Sequence, residues 1–301
     1  MKSSKYGNAT RPFTKNKRVL ELNPERFLNA LAIQRTLVYR YTSRSELIGI
    51  EMDELQSDTG SRAATSSAPD LDRVEKLFDL VPPKGGLDNV QSICRFGSSW
   101  LVFHQKSTMQ VYRNGDLIRK GPVDGALLHP NDCAVRGDEV VVCDAGDATP
   151  VIKGMHPESM QVHTVYPIKC PGWRLASIAV DKDASILVVA VEDLPLRERS
   201  RLLVRRYNEP GTKVMQEFTV PTANVYSQGC TVLGSSLYLN NNDGPSSTSA
   251  RVMKVDLVSE QYVDEFLIKN LGETEGLERA PGGQDGLITA VRDAVYFVAA
   301  S

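Results

Sequence analysis

The stretch His129-Pro130-Asn131-Asp132-Cys133-Ala134-Val135 starts with polar and small residues and runs into a short apolar segment, and altered copies recur along the chain. Its relatives are Gln91-Ser92-Ile93-Cys94-Arg95-Phe96, Ala176-Ser177-Ile178-Ala179-Val180, Gln228-Gly229-Cys230-Thr231-Val232 and Glu275-Gly276-Leu277-Glu278-Arg279. In the first four repeats a turn and a second strand-like run follow, at Trp100 to Phe103, Val140 to Cys143, Ile186 to Val191 and Leu237 to Leu239. Gln91, Asn131, Ala176, Gln228 and Glu275 stand 40, 45, 52 and 47 residues apart. A period of about 40 to 50 residues carrying several short strands marks a β-propeller.

The last repeat has room for three strands, about Leu277 to Ala280, Leu287 to Val291 and Val295 to Ala299. Arg73 to Leu80 resembles Lys213 to Val220 and Tyr262 to Ile268, which lie where a blade's outermost strand belongs. The expected fold is therefore all-β: a five-bladed propeller over 73–301, with blades starting at about 87, 127, 173, 226 and 272. An early strand completes the last blade, which would otherwise leave edges open. Tight turns at Gly97-Ser98-Ser99, Arg136-Gly137-Asp138, Asp181-Lys182-Asp183 and Gly234-Ser235 join first to second strands. Longer polar connections, from His104, Asp144, Glu192 and Asn240, leave second strands on the face where the inner strands begin, and loops on a rigid scaffold commonly carry function.

Residues 1–56 do not share the repeat. Asn23-Pro24 and the spacing of Phe27, Leu28, Leu31 and Ala32 predict a helix over about 24–35, while 36–56 fits a hairpin and a continued helix equally. Residues 57–72 are rich in Ser, Ala, Thr and Gly and read as a flexible linker. With 41% hydrophobic and 24% charged residues, the 301-residue chain can bury a large core, and no apolar run reaches the length of a membrane helix. A net charge of −2 argues against a nucleic-acid partner, and the basic opening from Lys2 to Arg18 reads as a solvated arm. That opening has no apolar core of the secretory kind, so the expectation is no signal peptide and a cytoplasmic or virion-associated protein. Five scattered cysteines make no disulfide framework, and Cys94, Cys133 and Cys230 read as core residues.

The inner-strand entries must converge on the central channel. They bring together Asp88, Asn89, Gln91, His129, Asn131, Asp132, Ser177, Gln228 and Glu275, with Asp144, Asp147, Glu192, Asp193, Asn241 and Asp243 further out. Gln91, Asn131, Asp132, Ser177, Gln228 and Glu275 are the candidate ligand-binding residues. Amide and carboxylate oxygens in a ring suit a sugar-like ligand or a hard cation; the same residues at strand entries also satisfy loop backbone or trapped water. Asp132 with Glu275 or Asp88 would supply the paired carboxylates of glycoside hydrolysis. His104, His129, His156 and His163 lack ligand spacing, and no phosphate loop, calcium hand or Gly-x-Ser-x-Gly elbow occurs.

The set His129-x-Asn131-Asp132, Gln228-Gly229 and Glu273-Thr274-Glu275-Gly276-Leu277 resembles five-bladed propellers of phage tail or baseplate proteins and helveticin-type bacteriocins, over about residues 73–301. The resemblance implies a carbohydrate-binding, receptor-binding domain that engages a cell-surface glycan or glycopolymer without a cofactor. Residues 1–56 would dock into a larger assembly such as a virion component. Pro130-Asn131-Asp132 also resembles the calcium-bearing strand of gluconolactonase and paraoxonase-like hydrolases, which implies a calcium-dependent lactonase as the alternative, although those enzymes have six blades. A likeness to five-bladed arabinanases and invertases is weakened by Ser177, where an acid would be expected.

Overall fold

The computed structural model describes residues 74–82, 89–105, 108–123, 127–146, 151–168, 170–208, 212–222, 226–242, 249–269 and 271–300. The readings made for 1–56 and 57–72, and for Asp88, Asp147 and Asp243, lie outside them.

Among the described residues twenty strands form five four-stranded antiparallel sheets. After β1 (Val74–Asp79), the first blade is β2 (Val90–Phe96), β3 (Ser99–His104), β4 (Thr108–Arg113) and β5 (Asp116–Pro122). The second is β6 (Pro130–Arg136), β7 (Glu139–Asp144), β8 (Val151–His156) and β9 (Gln161–Pro167). The third is β10 (Trp173–Val180), β11 (Ile186–Glu192), β12 (Arg201–Tyr207) and β13 (Val214–Pro221). The fourth is β14 (Cys230–Leu233), β15 (Ser236–Asn242), β16 (Ser249–Asp256) and β17 (Gln261–Lys269). The fifth is β18 (Glu275–Arg279), β19 (Gly286–Val291) and β20 (Ala294–Ala299), completed by β1. The five-bladed propeller closed by an early strand is the architecture the repeat implies.

Each sheet buries both faces against its neighbours, so the core is a set of layers between blades. One layer joins Leu187, Val189, Leu202 and Val204 of the third blade to Leu237, Leu239, Met253 and Val255 of the fourth. Another joins Leu101, Phe103 and Met109 to Val140, Val142 and Met155 across the first and second. Burial on both faces explains why second strands such as Ile186–Glu192 are continuous apolar runs rather than alternating ones. The outer strand β5 is mostly exposed and charged, through Asp116, Arg119 and Lys120, which blunts a free sheet edge.

The latch is stitched on two sides. β1 pairs with β20 from Val74 with Val298 to Asp79 with Ala294. The residues after it bind the first blade: Val81 donates its N–H to the Tyr112 hydroxyl at 2.8 Å, and Gln110 Nε2 donates to the Val81 carbonyl at 2.7 Å. Phe78 packs its ring 5.2 Å from that of Tyr112, which is fully buried. All five cysteines are free and buried, as expected of small core residues.

Candidate functional site

Four of the five inner strands carry a β-bulge at their entry. The register with the second strand slips between Val90 and Ser92, between Pro130 and Asp132, between Leu175 and Ser177, and between Glu275 and Glu278. The residue passed over is Gln91, Asn131 or Ala176 in the first three blades, the same repeat position each time. A bulge bends the strand and re-aims a side chain, so it takes these positions out of the ladder and lets Asn131 reach the third blade.

The entries of the inner strands are tied to one another by a girdle of hydrogen bonds. Ser92 Oγ donates to the Pro130 carbonyl at 3.1 Å, Asn131 Nδ2 donates to the Ala176 carbonyl, Ser177 and Ser227 share a hydroxyl bond of 2.9 Å, and Gln228 Nε2 donates to Glu275 Oε1 at 3.1 Å. Each links one blade to the next. Gln91 closes on its own strand, Nε2 donating to the Val90 carbonyl at 3.0 Å. Asp132 is fully buried and accepts three backbone N–H groups, from Cys133 at 2.9 Å and from Ile178 and Cys230 at 3.0 Å each. Burial pushes its carboxyl well above the ordinary range in spite of those bonds.

The Gly residues of the repeat serve the same convergence. A Cβ on Gly276 would stand 2.5 Å from the Ile93 nitrogen, and one on Gly229 would stand 2.4 Å from the Gly276 carbonyl carbon. Gly276 also has φ of +65°.

The outer polar residues tie down loops. Asp144 accepts the N–H groups of Leu128 at 2.9 Å, His129 at 2.7 Å and Gly146 at 3.1 Å, and the Lys153 ammonium at 2.6 Å. Burial alone would raise its carboxyl, but these partners outweigh it and hold the group below its usual value. Glu192 accepts from the backbone N–H and hydroxyl of Ser200 and from the N–H and guanidinium of Arg201, which hold its carboxyl down to about 2. Asn241 Oδ1 accepts the Tyr226 N–H at 2.9 Å.

Above the girdle lies a cavity of about 310 Å³, reached from the second, third and fourth blades and lined by His129, Asn131, Arg174, Arg199, Tyr226 and Gln228 among others. Of the six candidates, Asn131 and Gln228 line it; Gln91, Asp132, Ser177 and Glu275 do not. The sequence expectation does not include Arg199, and it does not include Arg174 and Tyr226. Their signal was present in the repeat, because Asn89, His129, Arg174, Tyr226 and Glu273 all stand two residues before a ring position. His129 is held below its usual value by burial and by the Arg174 charge, partly offset by its bond to Asn131 and by Asp144.

Beside the cavity two carboxyls meet. Gln228 is fixed by Asn242, whose Nδ2 donates to Gln228 Oε1 at 2.7 Å, and it donates in turn to Glu275 and Glu273. Burial, then the neighbouring Glu273 charge, push the Glu275 carboxyl well above its usual range, and its Oε2 is buried without a hydrogen-bond partner. Burial and the same two carboxylates push the Tyr226 hydroxyl up to about 12.

A second cavity, of about 590 Å³, opens where the inner strands leave the channel, and it is lined by Arg95, Thr231, Glu278, Arg279 and Asp285 among others. Burial raises the Glu278 carboxyl, against the N–H bond it accepts from Arg279 at 2.8 Å. Among the described residues no group of three or more His, Cys, Asp or Glu side chains is placed to hold a metal ion. Among the described residues no helix is long and apolar enough to cross a membrane.

No family model and no curated protein matches the chain. Among solved structures it is similar to a glutaminyl cyclase from Myxococcus xanthus, at 10% identity and a TM-score of 0.49, over 74% of this chain and 97% of that one. It is similar to the PQQ-bound aldose sugar dehydrogenase of Streptomyces coelicolor at 12% identity and a TM-score of 0.47, over 75% and 97%. Its likeness to the WD40 β-propeller domain of Doa1, at 11% identity and a TM-score of 0.45, covers 72% of this chain and 65% of that one.

Proposed function

We propose that this chain is a ligand-binding propeller that takes a cell-surface glycan or glycopolymer into the cavity over the inner-strand entries. The observation that carries this reading is the lining itself, in which three blades present an aromatic ring, an imidazole and two carboxamides to one opening. Small-molecule sites combine apolar surface with a few placed polar groups in this way. Tyr226 offers a ring face to a sugar, Asn131 a carboxamide held by its bond to the Ala176 carbonyl, and Gln228 the acceptor capacity of Oε1 that Asn242 does not use, its Nε2 being committed to Glu275 and Glu273. Gln91, Asp132, Ser177 and Glu275 keep the frame that sets those angles. This mode of binding calls for no cofactor. The likeness to phage-tail and bacteriocin propellers supports a place in such an assembly, with residues 1–56 as the docking segment.

Binding of the full chain to a glycan panel tests the reading. Tyr226→Ala should abolish retention of the captured glycan while leaving the melting temperature near that of the parent, and Asn131→Ala should abolish it with a lowered melting temperature, since it also removes the bond to the Ala176 carbonyl. Retention unchanged in both variants places the site elsewhere.

The Glu273 and Glu275 pair favours hydrolysis as a second reading, because burial beside a second carboxyl raises the Glu275 carboxyl, the direction a general acid requires. Turnover of glycan or lactone substrates that disappears in Glu275→Gln would establish it.

A further inference from the structure

We infer that the glycan taken by the entry-side cavity carries an anionic substituent, a phosphate or a carboxylate, held by Arg174 and Arg199; this rests on the binding reading above. The two guanidinium groups line one cavity of about 310 Å³, and no carboxylate is among its described lining residues. Of the nearby acids, Asp144 and Glu273 are engaged elsewhere, and Asp193 faces the two cations. Asp144 lies behind His129, occupied by Lys153 and three N–H groups. Glu273 accepts from Tyr226 and Gln228. Asp193 stands at the rim, with Oδ1 4.0 Å from Arg174 Nε, and both side chains are more than half exposed, so water screens that pair.

The cations are also placed rather than merely present. Arg174 is carried by β10 two residues ahead of the bulge that shapes the ring. Arg199 follows the turn Leu196–Glu198, and its Nε donates to the Leu194 carbonyl at 3.0 Å, which fixes the plane of the guanidinium. Burial, then the Arg174 charge, disfavour the Arg199 cation, the Asp193 charge partly offsets them, and an arriving anion would add to that offset. A planar guanidinium matches carboxylate and phosphate oxygens in pairs, which a neutral sugar hydroxyl cannot reproduce.

Calorimetric titration of the full chain separates the possibilities. The ligands are an uncharged oligosaccharide, its uronic-acid counterpart, its phosphorylated counterpart and inorganic phosphate alone. The charged saccharides should bind at least about tenfold more tightly than the uncharged one, the worth of one good charge-assisted contact. Arg199→Gln and Arg174→Gln should each remove about tenfold of that preference, and raised salt should weaken the parent in the same direction. Equal binding of charged and uncharged forms, unaltered in both variants, overturns the anionic inference but leaves the glycan reading standing. Inorganic phosphate binding as tightly as the phosphorylated sugar overturns it in favour of a simple anion site. No binding by any saccharide overturns both.

Discussion

Asp132 Oδ2 accepts the backbone N–H of Cys230, 98 positions further along the chain, at 3.0 Å, and the N–H of Ile178 at the same distance. One carboxylate of the second blade thus joins the third and fourth at the axis. Leaving a buried N–H unsatisfied costs about 1–3 kcal/mol, so Asp132→Ala, which orphans three, should destabilise the propeller by at least about 3 kcal/mol in urea unfolding. Asp132→Asn turns an amide hydrogen toward the Cys133 or Ile178 and Cys230 donors and should cost less than the alanine but remain destabilising. Parental stability in both would show that water replaces the carboxylate without penalty.

The glycines at the ring make a second prediction. Gly276→Ala adds a Cβ that meets the Ile93 nitrogen at 2.5 Å and forces a side chain onto a backbone at φ +65°. Strained backbone of this kind costs about 1–3 kcal/mol before the clash is counted. Gly137, also at positive φ but with open space around it, is the control: its alanine variant should lose far less in thermal unfolding.

Glu275 gives stability a dependence on pH. Its folded-state carboxyl is raised, so the native state binds more protons than the unfolded one above the ordinary Glu value near 4.5. Its contribution is complete below that value and is lost as pH rises toward the folded-state value. Glu275→Gln, neutral throughout, should match the parent near pH 4 and melt higher at pH 8, with about 2–4 °C gained for each 1 kcal/mol recovered. A variant that gains as much at pH 4 as at pH 8 would contradict this assignment.

Truncation tests the latch. Removing residues 73–80 exposes β20 and takes Val81 from Tyr112 and Gln110, and should lower the melting temperature severely. Removing residues 1–56 should leave it almost unchanged. Equal losses would move the domain boundary.

The propeller was legible because blade repetition leaves its mark every 40 to 50 residues, and because strands buried on both faces write themselves as apolar runs such as Ile186 to Val191. The closing strand was legible by likeness to Lys213 to Val220. The site was legible in part. Asn131 and Gln228 reach the cavity, yet Asp132 turns into the axis and Ser177 into the adjoining blade. Sequence gives residue types at the ring but not the bulge that chooses between facing inward and facing a neighbour. Arg174 and Tyr226 are not marked by residue type, because arginine and tyrosine do not resemble His129, although they share its place two residues before the ring.

The pairing of β1 with β20 sets an order of events at the ribosome. Asp79 and its partner Ala294 are separated by roughly 215 residues, which synthesis at about 5–20 residues per second covers in about 10–40 seconds. Throughout that interval the emerging chain holds an unpaired strand and, behind it, a Phe78 and Tyr112 layer without its lid, so the nascent propeller is exposed to capture by other edges until its circle is joined.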